Sequence, residues 1–476
     1  MIQLSTVQRV AKNTGIIISG ELIFRLVSLV VTIYLARYLG TVGFGKYSFV
    51  FAYLAFFNII TDLGLQTILV REMAREPTRA PKLIGNAYII RWILTALAVA
   101  SSIIVITLMS YPADTTTYIY IASLTVLFIS FSDFYRTIFE ANLRMEYNMV
   151  AKLAFKGVSA TLILLIIFMK GTLLHIMIAL VLSEMVKTLL NYSFSRKFVT
   201  PQFKIDFGLW KYLIKECLPL ALSSVIIIIY SRIDVIMLSI MKGDVPVGLY
   251  SAAYKLSDPF LLIPSALGVS LFPIMSKSFR NSREELIRIY ELSFKYILII
   301  MLPIAIITTL LADRIIMLIY GDAFEGSATA LQILIWALIF TSLNSILSHL
   351  LVSMGEQKLS TVSHTLCAVV NVVLNFFLIP VLSYNGASIA TVATSAVFFI
   401  SGFYFVSKHL QIIPLHKIVM KPMIGGLIAG MFVYYLINSN MLLLIPLSIG
   451  IYSLVLLSLK ALSKEDMDMV RRMIRG

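Results

Sequence analysis

The sequence predicts an all-α polytopic membrane protein of about fourteen transmembrane helices, and three observations predict it. Apolar side chains make up 59% of the 476 residues and charged ones 13%, with a mean hydropathy of +0.93; no water-soluble interior hides that share of apolar surface. Apolar runs of about 20 residues, the length that crosses a hydrocarbon core of about 30 Å, recur along the whole chain. The basic residues collect in alternate connections between those runs.

Taken in order, the runs fall at 14–36, 46–69, 83–108, 117–140, 149–169, 172–194, 217–240, 246–273, 290–312, 326–352, 360–380, 386–408, 417–437 and 440–462. No small-residue cleavage site follows the first, so it is expected to be a retained helix and not a signal peptide. The connections are short. The longest, 195–216 and 274–289, have room for a surface helix but not for a further domain. With both termini cytoplasmic, the inner segments hold 27 of the 39 Lys and Arg residues and the outer segments five. That bias predicts an even number of spans with both ends inside.

A repeat divides the chain. YLGTVGFGKYS (Tyr38 to Ser48) joins the first two runs, and IMKGDVPVGLYS (Ile240 to Ser251) joins the seventh and eighth. Aligning Gly40 with Gly243 pairs Val42 with Val245, Gly45 with Gly248, Tyr47 with Tyr250 and Ser48 with Ser251. Helices 1–6 (1–206) and 7–12 (207–412) are therefore expected to be two six-helix repeats, with helices 13–14 and a basic tail (413–476) appended. Six is even, so the repeats are parallel, related by an axis along the membrane normal.

An ionised side chain at a helix centre costs about 2.5–3.5 kcal/mol on insertion scales and seeks a cavity or a partner. Arg25 lies in the middle of helix 1, with Glu21 the nearest acid along the helix. Arg232 lies one turn beyond the equivalent position, Ile228, in helix 7. With Lys255 and Lys156 they point to a cationic cavity suited to a diphosphate, because a guanidinium stays charged and offers a bidentate fork. Asp62, Asp133, Glu184, Asp234 and Asp258 are the candidates for ion coupling, since burial lifts a carboxyl pKa towards neutrality. A plainer reading stands beside this one: Lys255 with Asp258, Glu184 with Lys187, and Asp133 with Arg136 and Glu140 share helix faces and can neutralise one another. Lys152 is read as snorkelling to the inner surface.

Helices 10 and 11 carry Asn344, Ser348, His349, His364, Asn371 and Asn375, which can meet sugar hydroxyls but more often bind helices together. Gly425, Gly426 and Gly430 are read as close-packing positions. Cys217 and Cys367 are embedded in apolar runs and form neither a disulfide framework nor a metal site. No phosphate-binding glycine loop, zinc helix or nucleophile elbow occurs. Asp466-Met467-Asp468 has the spacing of metal-dependent sugar transferases but lies in the basic tail, where a solvated helical turn is the better reading. The protein is not expected to be an enzyme or to carry a cofactor or metal, and its positive charge is read as membrane topology, not as nucleic-acid binding.

The stretch from Tyr38 to Arg75, with IDVIMLSIMKGDVPVGLYSAAYKLSDPF (Ile233 to Phe260) and NGASIATVATSAVFF (Asn385 to Phe399), resembles the polysaccharide (O-antigen-type) flippases of the multidrug/oligosaccharidyl-lipid/polysaccharide exporter superfamily. The resemblance runs the length of the chain. It implies a V-shaped, bilobal transporter with a cationic cavity. It also implies movement of a polyprenyl-diphosphate-linked oligosaccharide from the inner to the outer leaflet of the cytoplasmic membrane by alternating access. The family's cavity charges correspond to Arg25, Arg232 and Lys255. Expected partners are the lipid-linked oligosaccharide, membrane lipids and a driving proton or sodium ion, with the protein a monomer. The alternative is a cation-coupled antiporter for drugs or small molecules on the same fold. A membrane glycan polymerase or transferase is a third reading, opposed by the short outer connections.

Overall fold

One residue, Gly40, separates the first two membrane helices. It lies at φ 63°, ψ −176° inside an otherwise unbroken helix from Thr6 to Asp62 (α1), a conformation open only to glycine at low cost. The expected eleven-residue linker is thus one residue of irregular backbone. Gly243 repeats the device at φ 80°, ψ −165°, between α7 (Phe207–Lys242) and α8 (Asp244–Ser257). The two aligned glycines therefore share a backbone conformation as well as a sequence position.

The structure, a computed structural model, describes residues 6–461; the Asp466-Met467-Asp468 motif and most of the basic tail lie outside them. The other helices are α2 (Leu65–Arg75), α3 (Ala80–Leu108), α4 (Ala113–Ala141), α5 (Glu146–Phe168), α6 (Leu173–Ser195), α9 (Leu262–Asn281), α10 (Arg283–Tyr320), α11 (Ser327–Ser353), α12 (Gln357–His409), α13 (Leu415–Tyr435) and α14 (Met441–Ser458). Twelve stretches of the described residues are long and apolar enough to span a bilayer. Two of them are broken inside, at Gly40 and at Ser383 (φ 53°, ψ −132°). Counting the arms separately gives about fourteen spans, the number read from the sequence. Neither long connection holds a surface helix: 196–206 is irregular, and only Ser282 separates α9 from α10.

The described residues divide into two packing units between Gly248 and Leu249. That boundary comes one helix later than the repeat boundary expected at 206/207, because α7 packs on α1, α2 and α3. In the first unit the second arm of α1 runs antiparallel to α3, where the Tyr53 hydroxyl donates to the Ser102 carbonyl at 2.7 Å. The two glycine-bearing turns touch reciprocally. A Cβ on Gly45 would fall 1.9 Å from the Asp244 carbonyl oxygen, and one on Gly248 would fall 2.1 Å from that of Thr41. Thr41 aligns with Asp244 and Gly45 with Gly248, so the contact obeys a local twofold.

The connection 196–206 is strapped to α3. Gln202 N donates to the Pro81 carbonyl (2.9 Å). The fully buried Asn86 donates to the Lys204 carbonyl and accepts from Asp206 N and the Trp210 indole, each at 2.9 Å. Asp206 caps α7 by accepting from Leu209 N (3.0 Å) and pairs with Lys82 (2.6 Å). The Lys82 hydrogen bond, with the help of that backbone N–H, holds its carboxyl below the usual carboxylate range.

In the second unit the core lies between α10 and α11, around Tyr290, Phe294, Met301, Leu338, Leu347 and Leu350. The α13 helix rides on α10 through Gly426 and Gly430, whose Cβ positions lie 2.6 and 2.9 Å from Ile306 atoms. This is the close packing expected of them.

Two stability predictions follow from these contacts. Gly45→Ala and Gly248→Ala should each cost about 1–3 kcal/mol through the backbone clash. Gly157→Ala, in open space on α5, should be neutral or stabilise by up to about 1 kcal/mol; melting of the detergent-solubilised variants tests the contrast. Because the folded-state pKa of Asp206 is depressed, its contribution is present above the unfolded value of about 3.9 and lost as pH falls through the folded value. Asp206→Ala should therefore lower the melting temperature at pH 7, and the gap from the parent protein should close on acidification below about pH 4.

Candidate functional site

A group of four charges lies where the first arm of α1 meets α5. Gly20 sets the approach: a Cβ there would fall 2.3 Å from the Met149 sulfur. Residue spacing then lines α1 with Glu21, Phe24, Arg25 and Ser28 along one face, opposite Lys152 and Lys156 of α5. Arg25 Nε donates to Glu21 at 3.3 Å, and Lys152 Nζ donates to the other Glu21 oxygen at 2.5 Å. Lys156 donates to Ser28 Oγ at 3.0 Å. The two ammonium groups sit 4.7 and 5.5 Å from the centre of the Phe24 ring, within cation–π range. Glu21, Arg25 and Lys152 side chains are 25–32% exposed, so the group is open to a ligand.

Three cations and one carboxylate leave two net positive charges on a face that carries an aromatic ring. Such a face can take up a phosphate-bearing headgroup, with Arg25 and the lysines donating charge-assisted hydrogen bonds. The structure thus brings Arg25 and Lys156 together. It also corrects the reading of Lys152, which does not snorkel but joins the group. Glu21 and Lys152 stand 131 positions apart, so spacing along the chain could not pair them, although the i,i+4 steps Glu21–Arg25 and Lys152–Lys156 were visible.

The other candidates fall elsewhere. Arg232 sits half-buried on α7 and joins no ion pair among the described residues. Asp234, two residues on, is buried and accepts from the Val235 N–H. Lys255 and Asp258 belong to the second unit and pair with each other at 3.0 Å. Glu184 pairs with Lys187 (2.6 Å), and Arg136 with Asp133 (3.6 Å) and Glu140 (3.1 Å). These are the neutralising pairs that the helical spacing allowed.

Asp62 has a structural partner that the sequence did not assign. Arg91, 2% exposed, donates to it at 2.5 Å and to the Ser130 carbonyl and hydroxyl, while Asp62 also accepts from Gly64 N and Gln66 N at the start of α2. It ties α1, α3 and α2 together at the edge of an apolar cavity of about 250 Å³, lined also by Trp210, Leu213 and Cys217. On the other side of the first unit, Lys46 bonds Asp114 and lies 3.9 Å from Asp244.

In the second unit Asn344 and Asn371, among the polar residues expected on helices 10 and 11, reach across to another helical segment, while Asn375 and the two histidines bond within their own. Asn344 donates to the Ser395 carbonyl (2.9 Å), Asn371 to Thr394 (3.3 Å) and Asn375 to Asn371 (2.9 Å), while His349 and His364 bond carbonyls one turn back. An apolar groove of about 720 Å³ runs along α10 and α14, lined by Phe260, Ile300, Pro303, Ile307, Ile445 and Tyr452 among others.

The described residues thus form membrane-length helices, with a part-exposed cation group in the first unit and an apolar groove in the second. Two solved structures have this fold: a lipid II flippase in an inward closed conformation (TM-score 0.80, 15% identity, 95% of this chain and 99% of that one) and an inward-facing multidrug resistance transporter of the MATE family (0.69, 18%, 81% and 94%). The chain belongs to the polysaccharide biosynthesis protein family, which it matches over residues 10–279, more than half its length, and so to the multidrug/oligosaccharidyl-lipid/polysaccharide exporter superfamily. A MatE match covers residues 219–377. Among curated relatives, an uncharacterized membrane protein of Methanocaldococcus jannaschii is 30% identical over 44% of this chain, and a probable low-salt glycan biosynthesis flippase of Haloferax volcanii is 24% identical over 38%. These matches span 43% and 39% of the relatives' own lengths.

Arg91→Leu should destabilise the protein by about 3 kcal/mol, because it leaves Asp62 without its buried counter-charge. Asp62→Asn together with Arg91→Leu should recover part of that loss, and thermal unfolding of the three variants measures the coupling.

Proposed function

We propose that the protein is a flippase that carries a polyprenyl-diphosphate-linked oligosaccharide from the inner to the outer leaflet of the cytoplasmic membrane, for surface polysaccharide synthesis. One observation carries the reading: the α1–α5 group of Arg25, Lys152 and Lys156, net positive, part-exposed and resting on Phe24. A diphosphate diester is a dianion, and three donors of fixed charge suit it better than they suit a neutral or cationic cargo. Arg232 and Lys255 are proposed to add positive charge along the route. The groove of α10 and α14 has the lining that an isoprenoid chain prefers, which supports a lipid-borne cargo.

Both termini are proposed to be cytoplasmic, with the inner connections holding most of the Lys and Arg residues. The cycle is alternating access by a monomer, driven by a proton or sodium gradient or by the membrane potential. Asp133, Glu184, Asp234 and Asp258 are the carboxyls proposed for ion coupling; Asp62 is less suited, being held by Arg91. The protein is proposed to transport and not to catalyse. A cation-coupled antiporter is the second reading, supported by the MatE match and by Glu184, a buried carboxylate in a membrane helix.

Translocation of a fluorescent polyprenyl-diphosphate oligosaccharide in proteoliposomes tests the first reading. Arg25→Ala and Lys156→Ala should each slow it roughly tenfold or more, and Arg25→Lys should slow it less, keeping charge but losing the fork. Normal rates in Arg25→Ala, Lys156→Ala and Arg232→Ala would overturn the cationic route, and sugar transfer by the purified protein alone would overturn the non-enzyme reading.

A further inference from the structure

The carboxylate at the centre of the cation group has no part in holding an anion, and its two oxygens are spent on two different helices. Glu21 accepts from Arg25 Nε on α1 with one oxygen and from Lys152 Nζ on α5 with the other. A carboxylate that spans two cations in this way makes the contacts that one phosphoryl group would make. We infer that Glu21 is an internal counter-ion: it occupies Arg25 and Lys152 between transport events, gives them up to the diphosphate, and returns to speed release. The inference rests on the reading above that this group meets a diphosphate.

Charge and position support the exchange. With Glu21 ionised the group carries two net positive charges, enough to neutralise a diphosphate diester but no more. Without it the group would carry one more positive charge, and a multivalent anion leaves a more positive site more slowly. Phe24 keeps the exchange local: Lys152 and Lys156 rest on its ring, so they stay in place when Glu21 swings away. The side chains of Glu21 and Lys152 are 25% and 32% exposed, so a headgroup reaches the pair without unpacking α1 from α5. The i,i+4 order, Glu before Arg, favours re-formation of the Glu21–Arg25 contact along α1.

The plainer role is that Glu21 only neutralises the helix contact, and the two roles predict opposite results. Full-length protein in nanodiscs is titrated with farnesyl diphosphate, with inorganic pyrophosphate and with vesicles of phosphatidylglycerol, and translocation is followed in proteoliposomes. Glu21→Gln should tighten farnesyl diphosphate binding roughly three- to tenfold and slow translocation by a similar factor, while Glu21→Asp should keep both near the parent values. Tightening of pyrophosphate as well supports the inference and assigns recognition to the diphosphate itself. Weaker binding together with a lower melting temperature in Glu21→Gln overturns it in favour of the structural role. Tightening confined to phosphatidylglycerol also overturns it. Arg25→Ala separates the two readings: unchanged farnesyl diphosphate binding in that variant sinks the diphosphate site itself, whereas lost binding there without tightening in Glu21→Gln sinks only the counter-ion.

Discussion

Hydrocarbon offers no partner to a peptide group, and this constraint shapes the whole chain. Helices run on through places where the sequence reads as a linker, and irregular backbone shrinks to single residues. Gly40 and Gly243 take the left-handed φ that lets one helix stop and another begin within a residue. Gly321 ends α10 in the same way before a short 3-10 turn at Asp322–Phe324, and Ser383 breaks α12 without the freedom of glycine. Where a longer connection is needed, Asn86 supplies the hydrogen bonds that water would otherwise supply to 204–210.

The same medium governs the charges. A charge buried beside lipid is costly unless paired, and most of the intramembrane charges here are paired within their own helix or across one helix contact. Arg91 and Asp62 show the structural form, buried and multiply bonded. The α1–α5 group shows another form, with more cations than acids and part of its surface open. An imbalance of this kind is uneconomic for stability alone, which makes this group, and not the balanced pairs, the candidate site.

The all-α class, the approximate number of spans and the repeat were legible in the sequence, because length, hydropathy and an aligned glycine motif are local signals. The neutralising pairs Glu184–Lys187 and Lys255–Asp258 were legible for the same reason: three residues along a helix fix the neighbour. Partners on different helices were not legible. Asp62 meets Arg91 and Glu21 meets Lys152 through tertiary packing, which no spacing encodes. The turns were misread in length because Thr41 and Lys46, polar residues at the end of a span, look alike whether the backbone is coiled or helical. Packing also places α7 with the first unit although the second repeat is expected to begin there, since α7 packs along α1, α2 and α3.

The reciprocal approach of Gly45 to Asp244 and of Gly248 to Thr41 has the form of an isologous contact, the kind that two identical subunits make across a dyad. Here both partners are written into one polypeptide. A substitution in a homodimer changes both sides of such a contact at once, whereas here it changes one side and leaves the other to bear the mismatch. The two linkers are thereby bound to a common history: however far the rest of the two halves drifts in sequence, neither glycine can be exchanged without an answering shift in the backbone of the opposite turn.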